Sequence, residues 1–339
     1  MKRLLPFVSL LLLLLILLFP VESLSGAKAG LSLWWSSVFP ALLPSFICLK
    51  LTEKLGLLRT AFPRPRGRLG ASMAFSLLSG APNGAKLMGA LTRDGTVPDS
   101  MGQRLLPLVN NISPAFLLTI IASDRLKNKA RFRPMAAAFY GPILCLSLPL
   151  LTHGKKNSAD REAGPAPCSF PDALSAAIEE SMLDMLRIGG CILFACTLLS
   201  LARRGVTDPF AAAALSGFLE VSTGTAAIAA LPLSLRLRTT LLAGAAAFGG
   251  LSLALQTACC WPGLKLIPYL VQKLLFGALV GCICCLLFPL FPDMSAAFAS
   301  RQEVLVRSLS LSALLLSSLL SLGFMGVLSL MVSPNKANP

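Results

Sequence analysis

The residues best placed to do chemistry are ten polar side chains that interrupt apolar sequence in four clusters. Asn83 and Lys86 belong to Ser79-Gly80-Ala81-Pro82-Asn83-Gly84-Ala85-Lys86. Asn110, Asn111 and Ser113 belong to Asn110-Asn111-Ile112-Ser113-Pro114. Glu220, Ser222 and Thr223 follow Ser216-Gly217-Phe218-Leu219, and Ser252 and Gln256 follow Phe248-Gly249-Gly250-Leu251. Amides and hydroxyls carry both donors and acceptors, which suits a ligand with both, such as a nucleoside, a sugar or a headgroup. Polar groups inside a membrane are costly, so a functional role is the first reading. The plainer reading is interhelical hydrogen bonding worth about 0.6–2 kcal/mol per contact. For one residue the two readings weigh equally; four clusters together favour a site.

Stepping outward, the elements that hold these residues are helices too short to cross a bilayer singly. A crossing needs about 20 apolar residues. Leu69–Leu78 and Leu87–Leu91 flank the first cluster and read as a re-entrant hairpin, with a turn between surface helices as the alternative. Pro209–Leu231 repeats that pattern. Each hairpin is followed by a broken helix, Leu105–Ile121 and then Leu241–Ala258. Hairpin then broken helix, twice, is the pattern of a two-repeat transporter fold, in which half-helix ends face the bound solute. Lys86 and Glu220 occupy comparable places and are expected either to form a buried ion pair or, for Lys86, to snorkel to the interface.

Composition agrees. Of 339 residues 55% are hydrophobic and 13% charged, with a mean hydropathy of +0.75. This predicts an all-α polytopic integral membrane protein with two pseudo-symmetric repeats. The formal net charge of +15 is spread over short loops, where it reports orientation and anionic lipid rather than nucleic acid. The ten cysteines lie mostly in apolar runs and read as small buried hydrophobes, with no metal set and no disulfide.

Along the chain, residues 1–30 hold a first helix (Leu4–Phe19), retained or cleaved after Ala27-Lys28-Ala29. The first half is 31–151, beginning with a span over Leu31–Leu49 kinked at Pro40 and Pro44 and ending with a span over Met135–Leu151. A polar linker, 152–170, is expected outside the cell. The second half, 171–290, opens with an interfacial amphipathic helix Pro171–Met182 before a span at Leu183–Leu201 and closes with one at Ile267–Leu290. Residues 291–339 hold an amphipathic turn at Arg301–Arg307, a last span Leu309–Val332 and a tail. Two basic stretches, Lys50–Arg68 and Arg125–Arg133, are both expected in the cytoplasm by the positive-inside rule.

Catalysis is not expected. There is no phosphate loop, no His-Glu-x-x-His, no Gly-x-Ser-x-Gly, and one histidine, His153. No cofactor or metal is implied. The expected partners are the lipid bilayer, a small polar solute with a coupling cation, and further copies of the chain.

These motifs, with Phe39-Pro40-Ala41-Leu42-Leu43-Pro44-Ser45-Phe46, form an ordered set over about residues 30–290. The set resembles the sporulation integral membrane proteins of the YlbJ type, whose wider relatives share the nucleoside-recognition, or Gate, domain of concentrative nucleoside and ferrous-iron transporters. The resemblance implies a Gram-positive spore former, a place in the mother-cell or forespore membrane, a role in spore cortex formation, and a transporter-like fold. The alternative is a non-transporting scaffold that recruits spore-envelope assembly partners through the basic loops.

Overall fold

The computed structural model describes residues 5–56, 60–62, 65–152 and 169–291, and every regular element among them is helical. The linker 152–170 with His153 and Cys168, and residues 291–339 with the expected last span, lie outside the described residues except at their edges. Among the described residues five helical stretches are long and apolar enough to cross a membrane: Pro20–Lys54, Asp99–Arg125, Phe170–Arg203, Leu235–Cys260 and Leu266–Leu290.

Helix α1 (Leu5–Leu18) leads to α2 (Pro20–Leu33), which continues through a wide π turn, Trp34–Val38, into α3 (Phe39–Lys54). Ala27-Lys28-Ala29 therefore sits inside a helix. Gly26 and Gly30 flank it and rest on the backbone of Cys196 and Leu193, where a Cβ would come within 2.6 and 2.8 Å. The expected break before Leu31 is absent. Pro40, which lacks an N–H to continue the ladder, falls directly after the π turn, and the wider winding absorbs it.

The helix α9 (Phe170–Arg203) runs 34 residues without interruption. The expected interfacial helix at Pro171–Met182 is its first third. The reason is a continuous stripe: Ala173, Ala177, Ser181, Asp184, Ile188, Ile192 and Cys196 recur every three or four residues and are all buried. Its polar edge meets protein. Glu180 accepts from Lys50 at 2.8 Å and Lys54 at 2.6 Å on α3. Trp34 and Phe46 pack with Met185, Ile188 and Ile192 to bind α2 and α3 to α9.

Between these flanking helices lie α4 (Pro65–Ser79), α5 (Asn83–Arg93), α6 (Asp99–Val109), α7 (Pro114–Phe116) with π turns over Leu117–Arg125, and α8 (Phe132–Thr152). After α9 come α10 (Pro209–Leu219), α11 (Val221–Ala230), α12 (Leu235–Phe248), α13 (Gly250–Cys260) and α14 (Leu266–Leu287). The apolar core joins α7, α8, α12 and α14 around Phe139, Leu242 and Phe276, and α4, α5, α6, α13 and α14 around Met88, Leu105 and Trp261. Outward residues such as Leu274, Leu275 and Leu286 are apolar and exposed, as a lipid-facing surface requires.

The hairpins enter from opposite ends of the bundle. At one end, Gln103 near the start of α6 donates to the Gly263 carbonyl just before α14, and Trp261 covers Gly89 of α5. At the other, Arg131 donates to the Phe291 carbonyl just after α14, and Arg236 to the Cys285 carbonyl within it. The 22 residues of α14 separate those ends by about 33 Å. Hence α4–α5 dips in from the first end and α10–α11 from the second. The basic stretches Lys50–Arg68 and Arg125–Arg133 thus lie at opposite ends, and only one of them can be cytoplasmic. The start of α9, held by Lys50 and Lys54, is at the same end as the first stretch. Charge counting went astray because the first hairpin returns to its own side while the broken helix after it is long enough to cross.

Candidate functional site

Two junctions form where a hairpin tip meets a broken helix. At the first, the chain turns through Gly80, Ala81 and Pro82 between α4 and α5, and the Ala81 N–H donates to the Asn111 carbonyl at 2.6 Å. Gly80 has a φ of +82° and lies against Ser113, where a Cβ would be 2.9 Å from the Ser113 nitrogen. Gly84 rests on α6: its Cβ would meet Asn110 Cα and the Val109 carbonyl oxygen at 2.8 Å. Such approaches require glycine. They bring the start of α5 onto the end of α6, so the N–H groups of one half-helix lie beside the free carbonyls of another.

The side chains here are buried amides. Asn83, Asn110 and Asn111 are each 0% exposed. Asn110 donates through Nδ2 to Thr257 Oγ1 of α13 at 2.7 Å and to the Tyr269 hydroxyl of α14 at 3.0 Å. Asn111 donates to the Pro107 and Leu108 carbonyls at 3.2 and 2.7 Å, closing the end of α6 with its own amide. Its Oδ1 accepts from Lys273 Nζ of α14 at 2.6 Å. By contrast, both polar side-chain atoms of Asn83, and Asn110 Oδ1, have no hydrogen-bond partner among the described residues. An orphaned buried amide is uncommon and calls for a reason.

Lys86 neither pairs with Glu220 nor snorkels outward. Its Nζ lies 2.6 Å from Asp184 Oδ2 of α9, with Lys50 reaching the same oxygen at 3.1 Å, and stands 3.6 Å above the Phe46 ring centroid. The ion pair is thus made across 98 residues, to a carboxylate on the long helix α9. It ties the first hairpin to α3 and α9.

At the second junction, Glu220 is the single residue between α10 and α11. It is 3% exposed, and its carboxylate accepts from the Thr223 N–H at 2.7 Å, capping α11. Thr223 returns its hydroxyl to the Glu220 carbonyl, and Thr225, not Ser222, supplies the next hydroxyl contact, to the Ser222 carbonyl at 3.0 Å. Gly249 and Gly250 break α12 from α13 with φ of +83° and +77°, and Gly250 lies against the Glu220 backbone. Gln256 donates to Ser252 Oγ at 3.1 Å along α13. Ser113 is a cap, accepting from the Phe116 N–H.

The structure therefore gathers Asn83, Asn110 and Asn111 in one place, connects them to α13 one residue from Gln256, and leaves Glu220, Ser222 and Thr223 at a separate junction. Thr257, Tyr269 and Lys273 complete the first site without having been singled out. Lys273 had a signal: it is the lone charge between Lys265 and Asp293, and a lone lysine in a span marks function by default. Among the described residues no group of three or more His, Cys, Asp or Glu converges as a metal site.

No protein-family model matches the chain, and no solved structure matches it. It is 26% identical over 356 aligned residues to the sporulation integral membrane protein YlbJ of Bacillus subtilis (strain 168), a match that spans 85% of this chain and 87% of the relative. That likeness supports a YlbJ-type assignment for this multi-pass membrane protein.

Proposed function

We propose that this chain is a transporter-like membrane protein of sporulation, acting in spore cortex formation at the mother-cell or forespore membrane, and that it moves or senses a small polar solute at the first junction. The observation that carries the reading is a set of buried atoms at the first junction without hydrogen-bond partners among the described residues: both polar side-chain atoms of Asn83 at the start of α5, and Asn110 Oδ1 at the end of α6. A fully buried amide without partners costs about 1–3 kcal/mol. A solute with both donors and acceptors offsets that cost on binding. The two hairpins that dip in from opposite ends support an arrangement of two inverted repeats, 31–151 and 171–290, rocking about a shared centre.

The test is complementation of a spore-forming strain lacking the gene, at matched membrane levels. Asn83 is the informative position, because its side chain makes no hydrogen bond to the described residues. Asn83→Ala is expected to keep or slightly raise the thermal stability of the purified protein while heat-resistant spore yield falls. Asn111→Ala lowers both, since that amide closes α6. Full complementation by Asn83→Ala would remove the solute reading.

A further inference from the structure

Lys273 Nζ sits where the end of a half-helix presents oxygens and nothing anionic. The side chain is 1% exposed. It donates to Asn111 Oδ1 at 2.6 Å and approaches the Asn110 carbonyl at 3.4 Å, both at the C-terminal end of α6. Asn111 cannot turn away, because its Nδ2 is committed to the Pro107 and Leu108 carbonyls and so fixes Oδ1 toward the lysine. The side chains around it, on α14 itself and on α13, are neutral. Tyr269, one turn earlier on α14, and Thr257 of α13 are both bonded to Asn110, and the Phe276 ring centroid is 5.6 Å from Nζ. Among the described residues no carboxylate forms an ion pair with it.

A cluster of carbonyl and amide oxygens at the negative end of a broken helix is the surrounding in which transporters of this architecture hold a dissolved coupling cation. We infer that the Lys273 ammonium is a tethered cation that fills this position, so that the chain needs no dissolved monovalent cation there. The amine arrives from α14, which packs against both α6 and α13. An anion-binding role suits the geometry less well, because the amine is turned toward oxygens that repel anions. The inference deepens the transporter-like reading, and its test reads stability rather than solute binding, so the two fail separately.

The experiment is thermal unfolding of the purified full chain in detergent at constant ionic strength, in choline, sodium, potassium or ethylammonium chloride. The wild type is expected to unfold at one temperature in all four. Lys273→Ala removes the tethered charge and opens space for a free one. It is expected to lose about 5 °C in choline and to regain at least half of that loss in sodium, potassium or ethylammonium. Lys273→Gln keeps length and a donor but no charge, and carries the same expectation if the alanine variant does not accumulate. Equal unfolding temperatures for a variant in all four salts would overturn the inference, as would stabilisation of the wild type by sodium over choline. Growth media supply sodium and potassium, so failure of both variants to accumulate counts against it as well.

Discussion

The two junctions share a plan and differ in how they finish it. Both set a hairpin tip against a broken helix through glycine, Gly80 and Gly84 at the first, Gly249 and Gly250 at the second. At the second junction, among the described residues, no buried side-chain atom is left without a partner: the Glu220 carboxylate caps α11, and the left-handed Gly249 and Gly250 turn the chain. At the first, three buried amides and an amine are brought together, and among the described residues three side-chain atoms of Asn83 and Asn110 find no partner. Folding alone does not require those atoms. The contrast teaches that similar breaks need not be finished alike: the second satisfies its buried side-chain atoms among the described residues, and the first keeps unfilled hydrogen-bonding capacity there.

The largest expected effect tests what anchors the first junction. Asp184 faces Lys86 and Lys50 with its side chain 10% exposed. Asp184→Ala leaves two cations largely buried beside each other and is expected to cost about 3–5 kcal/mol, read as a drop in unfolding temperature. The double variant Asp184→Ala/Lys86→Met removes one of those charges and is expected to recover part of the loss. No recovery would mean that Asp184 acts through packing, and the ion cluster would lose its claim as the anchor.

How much of this was legible in the sequence follows from the range of each interaction. The breaks were legible because they are local: Gly80-Ala81-Pro82-Asn83, Asn110–Pro114, Glu220 and Gly249-Gly250 announce themselves by residue type, and the helices stop there. The partners of the charges were not. Lys86 meets Asp184 rather than Glu220 because α9 passes the first hairpin, and nothing in the local pattern encodes that passage. The amphipathic pattern of Pro171–Met182 suggested an interfacial helix, whereas its Glu180 in fact faces Lys50 and Lys54. Orientation failed for a related reason, since the positive-inside rule needs the number of crossings between two basic stretches, and a hairpin and a crossing look alike until their depths are known.

A middle-sized effect tests how closely the first tip must seat. Gly84→Ala puts a methyl 2.8 Å from Asn110 Cα and the Val109 carbonyl oxygen, backbone atoms that cannot swing aside. The expected cost is about 1–3 kcal/mol. Because the displacement would fall on α6 beside Asn110, spore yield is expected to drop further than stability alone explains, when compared with a variant of equal stability elsewhere. Loss of yield in proportion to stability would make the first junction as structural as the second.

The smallest effect is aimed at Glu220, where the comparison is easiest to break. A cap needs an acceptor oxygen, and the charge on it adds only about 0.3–1 kcal/mol through the helix dipole. Glu220→Gln keeps the acceptor for the Thr223 N–H and is expected to complement fully with little change in unfolding temperature. Glu220→Ala frees that N–H in a buried place and is expected to cost about 1 kcal/mol. The order of the two variants matters more than their size. If the glutamine variant behaves like the alanine variant in stability, the carboxylate has a partner beyond the cap. If it is stable yet fails in spores, the negative charge itself is used, and the second junction then belongs to the site with Asn83, Asn110 and Lys273 instead of serving the fold alone.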